Sequence, residues 1–289
     1  MSASDIPQER AVQPTMTWQI VDTPTVAPTV GGVLRRQDPR LRDGELHRTA
    51  SLVADSLFVG GYHVAAASQV GSSHLMEGSS RQDAYDFTMN SEGELAVAIA
   101  DGMGSKPHLQ VGARLFCEFV VEAVSTHPGG SASTYLFDAA DRAKEVAEIA
   151  YHLGAEDIAF VGGVAVFNAH GFEVTRVGDI SAFVWDQRGE IVELFPPPEG
   201  HVNVVVQSLP PSQMCEPESI GSSNYSRLLL TTDGLANDIR NSEVVRQWLT
   251  SCWIDLPSGY TMNEALRYRR RGSHDDRTAL IVSIPRPSI

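Results

Sequence analysis

The 289-residue, 31.3-kDa chain contains 42% hydrophobic, 7% aromatic and 20% charged residues, a globular composition that excludes collagenous, mucin-like and wholly disordered classes. Against 36 Asp and Glu stand only 22 Lys and Arg, and the net charge of −14 provides no general positive field for nucleic acid or an anionic membrane. Without a run of about 18 apolar residues, and with neither a basic nor an apolar stretch in the opening MSASDIPQER, the chain is expected to stay in the cytosol.

Residues 1–55 are rich in Pro, Thr, Gln and charge, with no sustained period, and are expected to form a disordered tail ahead of one domain over 56–289. The apolar stretch around Leu52 to Val59 reads as either an edge strand or a helix. From Tyr62 onward short β-rich runs follow: YHVAAAS, AYDFTMN, ELAVAIA, FVGGVAVF, FEVTRVG, SAFVWD, EIVELF, VNVVVQ, RLLLTT and TALIVSI. Two helical segments separate ELAVAIA from FVGGVAVF. The second carries Leu136, Ala139, Ala140, Ala143, Val146, Ala147 and Ala150 on one face, with Gly154 as its expected C-cap. A further helix pair is expected near 241–251 and 261–271, capped by Asn241 or Ser242 and by a Thr261–Glu264 box. Strands in meanders with helices in pairs make an α+β chain. The stretch PPPEG to PESIGSSN reads as a surface excursion or a solvated linker.

Cys117, Cys215 and Cys252 lack metal-ligand spacing and read as free thiols. His63, His127, His152, His170 and His201 likewise show no ligand pattern. RYRRRG at 267–272 reads as a solvated helix end or a counterweight to acidic residues, and Trp248 and Trp253 as packing residues.

The chemical signal lies in where aspartates fall. ELAVAIA runs into Asp101-Gly102, RLLLTT runs into Asp233-Gly234, and Asp275-Asp276 precede the last apolar run. Asp83 opens a strand and Asp157 precedes FVGGVAVF. If these ends share one edge, the carboxylates converge and repel unless hard cations such as Mg²⁺ or Mn²⁺ neutralise them. Each Asp-Gly taken alone is an ordinary turn.

The ordered series RQDA, AIADGMGS, RVGDI, LLLTTDGLAND and HDDRTALIV resembles the motifs of the PP2C family of metal-dependent serine/threonine phosphatases, and GSSHLMEGSSRQDA is similar to its compact bacterial subgroup. The resemblance implies a β-sandwich of two antiparallel sheets flanked by helix pairs. It also implies hydrolysis of phosphoprotein monoesters by direct attack of a metal-bridging hydroxide, with two Mn²⁺ or Mg²⁺ ions. Residue by residue it implies that Asp101 bridges the ions, the Gly102 carbonyl completes the first, Asp233 and Asp275 hold the second, and Asp83 acts on the first. Asp157 falls at a third, weaker ion's position. Asp276 is set aside, because aligning Thr278 with the motif's Thr puts Asp275 on its Asp. Asp179 matches a residue that ties a turn. The implied partners are a phosphorylated protein and a cognate serine/threonine kinase, with no nucleic acid or membrane.

The chain also departs from the pattern. The family's phosphate-gripping Arg, five residues before Asp83, is Gly78 here, which leaves Arg81, His74 and Lys106 as candidate phosphate contacts. Phe160-Val161 replace a Thr-Thr, Ile180 replaces a Ser, and Met103 stands where some members carry a His. These changes sustain an alternative reading, a pseudophosphatase that binds phosphoproteins or a kinase without turnover.

Overall fold

The computed structural model describes residues 26–31, 48–185, 191–196, 207–211, 217–222 and 225–284. Most of the expected tail, Cys215, His201 and all of VNVVVQ but Gln207 lie outside them. The strands are β1 (Thr29–Val30), β2 (Leu52–Val59), β3 (Tyr62–Gln69), β4 (Ala84–Met89), β5 (Leu95–Gly102), β6 (Phe160–Asn168), β7 (Gly171–Val177), β8 (Ser181–Trp185), β9 (Ile191–Glu193), β10 (Glu218–Ser222), β11 (Arg227–Thr231), β12 (Arg269–Arg270) and β13 (Arg277–Ser283). The α-helices are α1 (Ser72–Glu77), α2 (Leu109–Thr126), α3 (Ala132–Val146), α4 (Asp233–Asn241), α5 (Glu243–Cys252) and α6 (Gly259–Ala265).

Two antiparallel sheets dominate: a five-stranded one ordered β10-β7-β6-β5-β4 and a six-stranded one ordered β2-β3-β13-β11-β8-β9. A strand has a period of two, so a strand covered on both sides must be apolar throughout. β5 shows how the alternation is used. Leu95, Val97 and Ile99 point into the core between the sheets, while Ala96, Ala98 and Ala100 face Phe116, Val120 and Leu136 of α2 and α3. Large residues fill the sandwich and small ones let the helices approach. The other sheet repeats this: Leu228, Leu230, Leu280 and Val282 point inward, and Ala65, Ala67, Leu229 and Ile281 meet α4 to α6 and the buried Trp248 and Trp253. Each fully buried Leu contributes roughly 1.5–3 kcal/mol.

Several expectations are corrected. β2 is an edge strand, one of the two readings of that stretch, but it begins at Leu52, ahead of the expected boundary at 56. Thr29–Val30 pairs with β12, so another short piece of that segment joins the fold. β10 comes from the stretch read as excursion or linker. Gly154 is not the C-cap of α3: the helix passes into a π-turn over Ala147–Tyr151, the left-handed residue is His152 (φ 58°), and Gly154 precedes a 3₁₀ turn. Ser242 caps α5, but Ser258 rather than Thr261 caps α6. That helix ends at Ala265, so RYRRRG runs into β12 instead of closing a helix. α4 itself starts at Asp233, a position that reads locally as a turn.

Candidate active site

Pairing register brings the acidic strand ends to one edge of the sandwich. Ala84 at the start of β4 sits opposite Ala100 near the end of β5, so Asp83 and Asp101 share an edge. In the other sheet Arg277 pairs with Gln69 and Ala279 with Thr231, which places Asp275, Asp276 and Asp233 at one edge as well. The two edges meet, because Thr232 Oγ1 and Thr278 Oγ1 donate to Asp83 Oδ2 at 2.8 and 2.6 Å.

Close backbone approach fixes the loops around the carboxylates. A Cβ on Gly234 would lie 2.1 Å from the Asp276 carbonyl oxygen, and one on Gly71 would lie 2.3 Å from the Asp275 carbonyl carbon. Only glycine permits these contacts. They press the start of α4 and the turn before α1 against Asp275-Asp276. Gly102 fits the same way, its missing Cβ being 2.8 Å from Leu109 Cβ.

The electrostatics follow from this crowding. Burial, then the charges of Asp83, Asp233, Asp275 and Asp276, hold the Asp101 carboxyl well above the usual carboxylate range. Burial and Asp276 push Asp83 up to about 8, and burial, Asp179 and Asp275 push Asp233 up to about 7. Asp83 Oδ1 and Asp233 Oδ1 are buried without a hydrogen-bond partner among the described residues. A buried carboxylate oxygen lacking a donor is costly. Crowded carboxylates with orphaned oxygens form a donor set suited to hard divalent cations, and these residues fit such ions.

Asp275 is exposed and accepts from the Asp276 amide at 2.9 Å. Asp276 is a buried anchor: Oδ1 accepts from Gly71 N and His74 Nδ1 at 2.6 and 2.9 Å, and Oδ2 from Gln82 N at 2.6 Å. It ties α1 and the segment before Asp83 to the last strand. Asp157 stands apart on its 3₁₀ turn, paired to Lys106 Nζ at 3.1 Å and accepting from Gly154 N. Lys106 and the Gly154 amide hold its carboxyl below the usual range.

The candidate phosphate contacts all have protein partners. Lys106 is paired to Asp157. Burial alone would lower the His74 pKa, but the hydrogen bond and charge of Asp276, with Asp275 and Asp83 nearby, raise it to about 9. Arg81 is 6% exposed and donates to the Ala50 carbonyl (3.0 Å), Ser68 Oγ (2.8 Å) and the Asp83 carbonyl. It braces the wall behind Asp83. Phe160, Val161 and Ile180 are buried apolar residues, Phe160 lying 5.1 Å from Phe116 between ring centroids, and Met103 packs on the central core. None of these positions supplies a hydroxyl or an imidazole.

Asp238 escaped the sequence reading. It is 1% exposed and accepts from Tyr268 Oη (2.5 Å), Arg270 Nη1 (2.8 Å) and Ser273 Oγ (2.6 Å), with Arg277 at 3.5 Å. This anchors the segment leading to Asp275. The signal was the RYRRRG run itself, whose charges need a carboxylate partner.

The sequence profile described as Protein phosphatase 2C matches residues 70–268. The chain belongs to that family. Among solved structures it is similar to RsbX in complex with magnesium (14% identity, TM-score 0.53, covering 80% of this chain and 99% of that one). It is also similar to the Mycobacterium tuberculosis serine/threonine phosphatase PstP/Ppp (18%, 0.54, 78% and 99%) and to Stp1 from Staphylococcus aureus (15%, 0.56, 85% and 99%). At these identities the likeness shows the fold, the mixed α and β sandwich described above. No curated protein sequence matches the chain, and among the described residues no helix is long and apolar enough to cross a membrane.

Proposed function

We propose that this family member is a protein-serine/threonine phosphatase, dependent on Mn²⁺ or Mg²⁺, that hydrolyses phosphoprotein monoesters in the cytosol opposite a serine/threonine kinase. The observation that carries the reading is the convergence of Asp83, Asp101, Asp233 and Asp275, with orphaned buried oxygens on Asp83 and Asp233. Asp101 lies among the other carboxylates and would bridge two ions, with the Gly102 carbonyl and Asp83 on one side and Asp233 and Asp275 on the other. When bound, such ions activate water and offset charge on the phosphoryl oxygens. Thr232 and Thr278 hold the Asp83 carboxylate in place, and Asp276 holds the loop that presents Asp275. Protonated His74, bonded to Asp276, offsets part of the acidic charge. A third ion at Asp157 would have to displace Lys106.

The test is hydrolysis of p-nitrophenyl phosphate and of a phosphoseryl protein, with Mn²⁺, Mg²⁺ or EDTA. Turnover that needs metal and vanishes in Asp101→Asn supports the reading. The second reading, a pseudophosphatase, is favoured by the commitment of Arg81, His74 and Lys106 to protein partners. It predicts calorimetric Mn²⁺ binding with no turnover of either substrate.

A further inference from the structure

Among the described residues no strand pairs with the outer side of β2, the end strand of the six-stranded sheet. It is the longest edge of the two main sheets, eight residues against six in β4, three in β9 and five in β10. Natural edges are ordinarily blunted by Lys, Pro or a bulge. LVADSLFV holds none of these, and its register with β3 runs unbroken from Leu52 to Val59. The direction of its backbone groups follows from the Val70 amide, which donates to the Ser51 carbonyl at 2.9 Å. Hydrogen-bonded pairs alternate along an antiparallel ladder, so the odd-numbered residues turn their amides and carbonyls to β3, and Leu52, Ala54, Ser56 and Phe58 turn theirs outward. Phe58 is 71% and Leu57 40% exposed. Tyr260, 87% exposed, follows Gly259, which packs on the Ala54–Asp55 backbone. Apolar side chains thus flank an open row of backbone donors and acceptors.

We propose that β2 is a docking edge for a second copy of this chain, the two strands joining antiparallel about a twofold axis so that the six-stranded sheets become continuous. An axis normal to the sheet keeps each face on its own side, so facing residues must be both even-numbered or both odd-numbered. Asp55 chooses among the registers that remain. It is the only charge in LVADSLFV, its carboxylate accepting from Tyr85 Oη at 2.7 Å, and a pair centred on Asp55 would set two carboxylates directly opposite, which is destabilising. Centring the pair on Leu57 shortens the paired stretch. Centring it on Ser56 puts Asp55 against Leu57, Val53 against Val59 and Ala54 against Phe58 of the second copy. In that register the outward groups of Ala54, Ser56 and Phe58 all find partners, and the exposed Phe58 ring, 4.6 Å from His63, meets a small Ala. Two copies of a chain of net charge −14 repel each other, and an edge with one carboxylate is a place where they can still approach. Paired strands bury less than a standard interface, so the dimer is a weak one. The inference does not depend on turnover at the acidic site.

Sedimentation velocity of the full-length protein from about 1 to about 300 μM, a range that spans the dissociation constants of weak dimers, reads the association. The mass should rise with concentration from 31.3 kDa toward twice that value. Ser56→Pro removes only an outward amide and leaves the bonds to β3 intact. It should weaken association at least about tenfold while circular dichroism shows an unchanged fold. Phe58→Lys, which introduces the residue that blunts natural edges, should do the same by a second route. On oxidation Ser56→Cys should link two copies across the axis, where the Cα atoms lie about 5.5 Å apart and within disulfide reach, and Ala54→Cys should not. Both cysteine variants are made with Cys215→Ser, since Cys117 and Cys252 are buried. A chain that stays monomeric throughout overturns the proposal, as does association that either Ser56→Pro or Phe58→Lys leaves unchanged. Crosslinking of Ala54→Cys in place of Ser56→Cys overturns the pairing. A failed phosphatase assay would leave this result untouched.

Discussion

Thr278 donates through Oγ1 to Asp83 Oδ2 at 2.6 Å, joining the six-stranded sheet to the strand end that carries a candidate metal ligand in the other sheet. The direction of the whole chain of bonds follows. Thr278 has one hydroxyl proton and gives it to the carboxylate, so Ser68 Oγ donates to Thr278 at 2.5 Å, and Ser68 in turn accepts from Arg81 at 2.8 Å. Arg81 can only donate.

Replacing Thr278 by Val keeps the shape and removes the donor. The variant is expected to lose about 1.5–3 kcal/mol, the range for hydrogen bonds to charged groups, and to bind Mn²⁺ more weakly because Asp83 keeps only Thr232. Urea denaturation and calorimetric Mn²⁺ titration measure the two effects. An unchanged denaturation midpoint would remove the bond from the stabilising network.

Asp101→Asn takes one charge from the crowded cluster. In EDTA it should melt higher than the natural chain, because mutual repulsion falls. Mn²⁺ at about 100 times its Kd should stabilise the natural chain by about 2.7 kcal/mol and the variant far less. Differential scanning fluorimetry with and without Mn²⁺ reads both. Equal Mn²⁺ stabilisation of the two proteins would exclude Asp101 as a bridging ligand.

The metal-free protein should lose stability as pH rises. Asp233 and Asp83 have folded pKa values of about 7 and about 8, above the unfolded value of about 4. The folded chain therefore holds more protons between these values, and stability falls as pH rises from about 4 to about 8. His74 adds the same sign, since its value of about 9 lies above the ordinary 6.5, and its contribution is lost as pH rises through about 9. Thermal melts in EDTA across this range test the slope, which Asp233→Asn should flatten. Rising stability over the interval would contradict the crowding.

Asp238→Asn leaves Arg270 and Arg277 facing a neutral amide. Breaking a buried charge cluster of this kind costs about 3–5 kcal/mol, and loosening the segment that leads to Asp275 should also weaken Mn²⁺ binding. Chemical denaturation decides the first effect and calorimetry the second. A loss below about 1 kcal/mol would place Asp238 among ordinary solvated surface pairs.

The α+β class, nine of the main-sheet strands and the aspartates at strand ends were legible in the sequence, because side-chain alternation and strand-terminating Asp-Gly steps are local patterns. What lay beyond it was set by contacts between distant residues. Ser68 and Thr278 are 210 residues apart, and no local pattern says that their hydroxyls meet. β10 is a strand because its backbone pairs with β7, although its residues ESIGS read as a loop. α4 is a helix because Leu235, Ala236 and Ile239 pack on the six-stranded sheet, although it opens with the Asp-Gly of a turn. Arg81 stands two residues before Asp83 and reads as a phosphate contact. The fold closes around it and spends its donors on Ala50, Ser68 and the Asp83 carbonyl. Composition and period determine which residues are buried and which strand ends carry charge, whereas the choice of partner for a buried polar group is a property of three-dimensional packing.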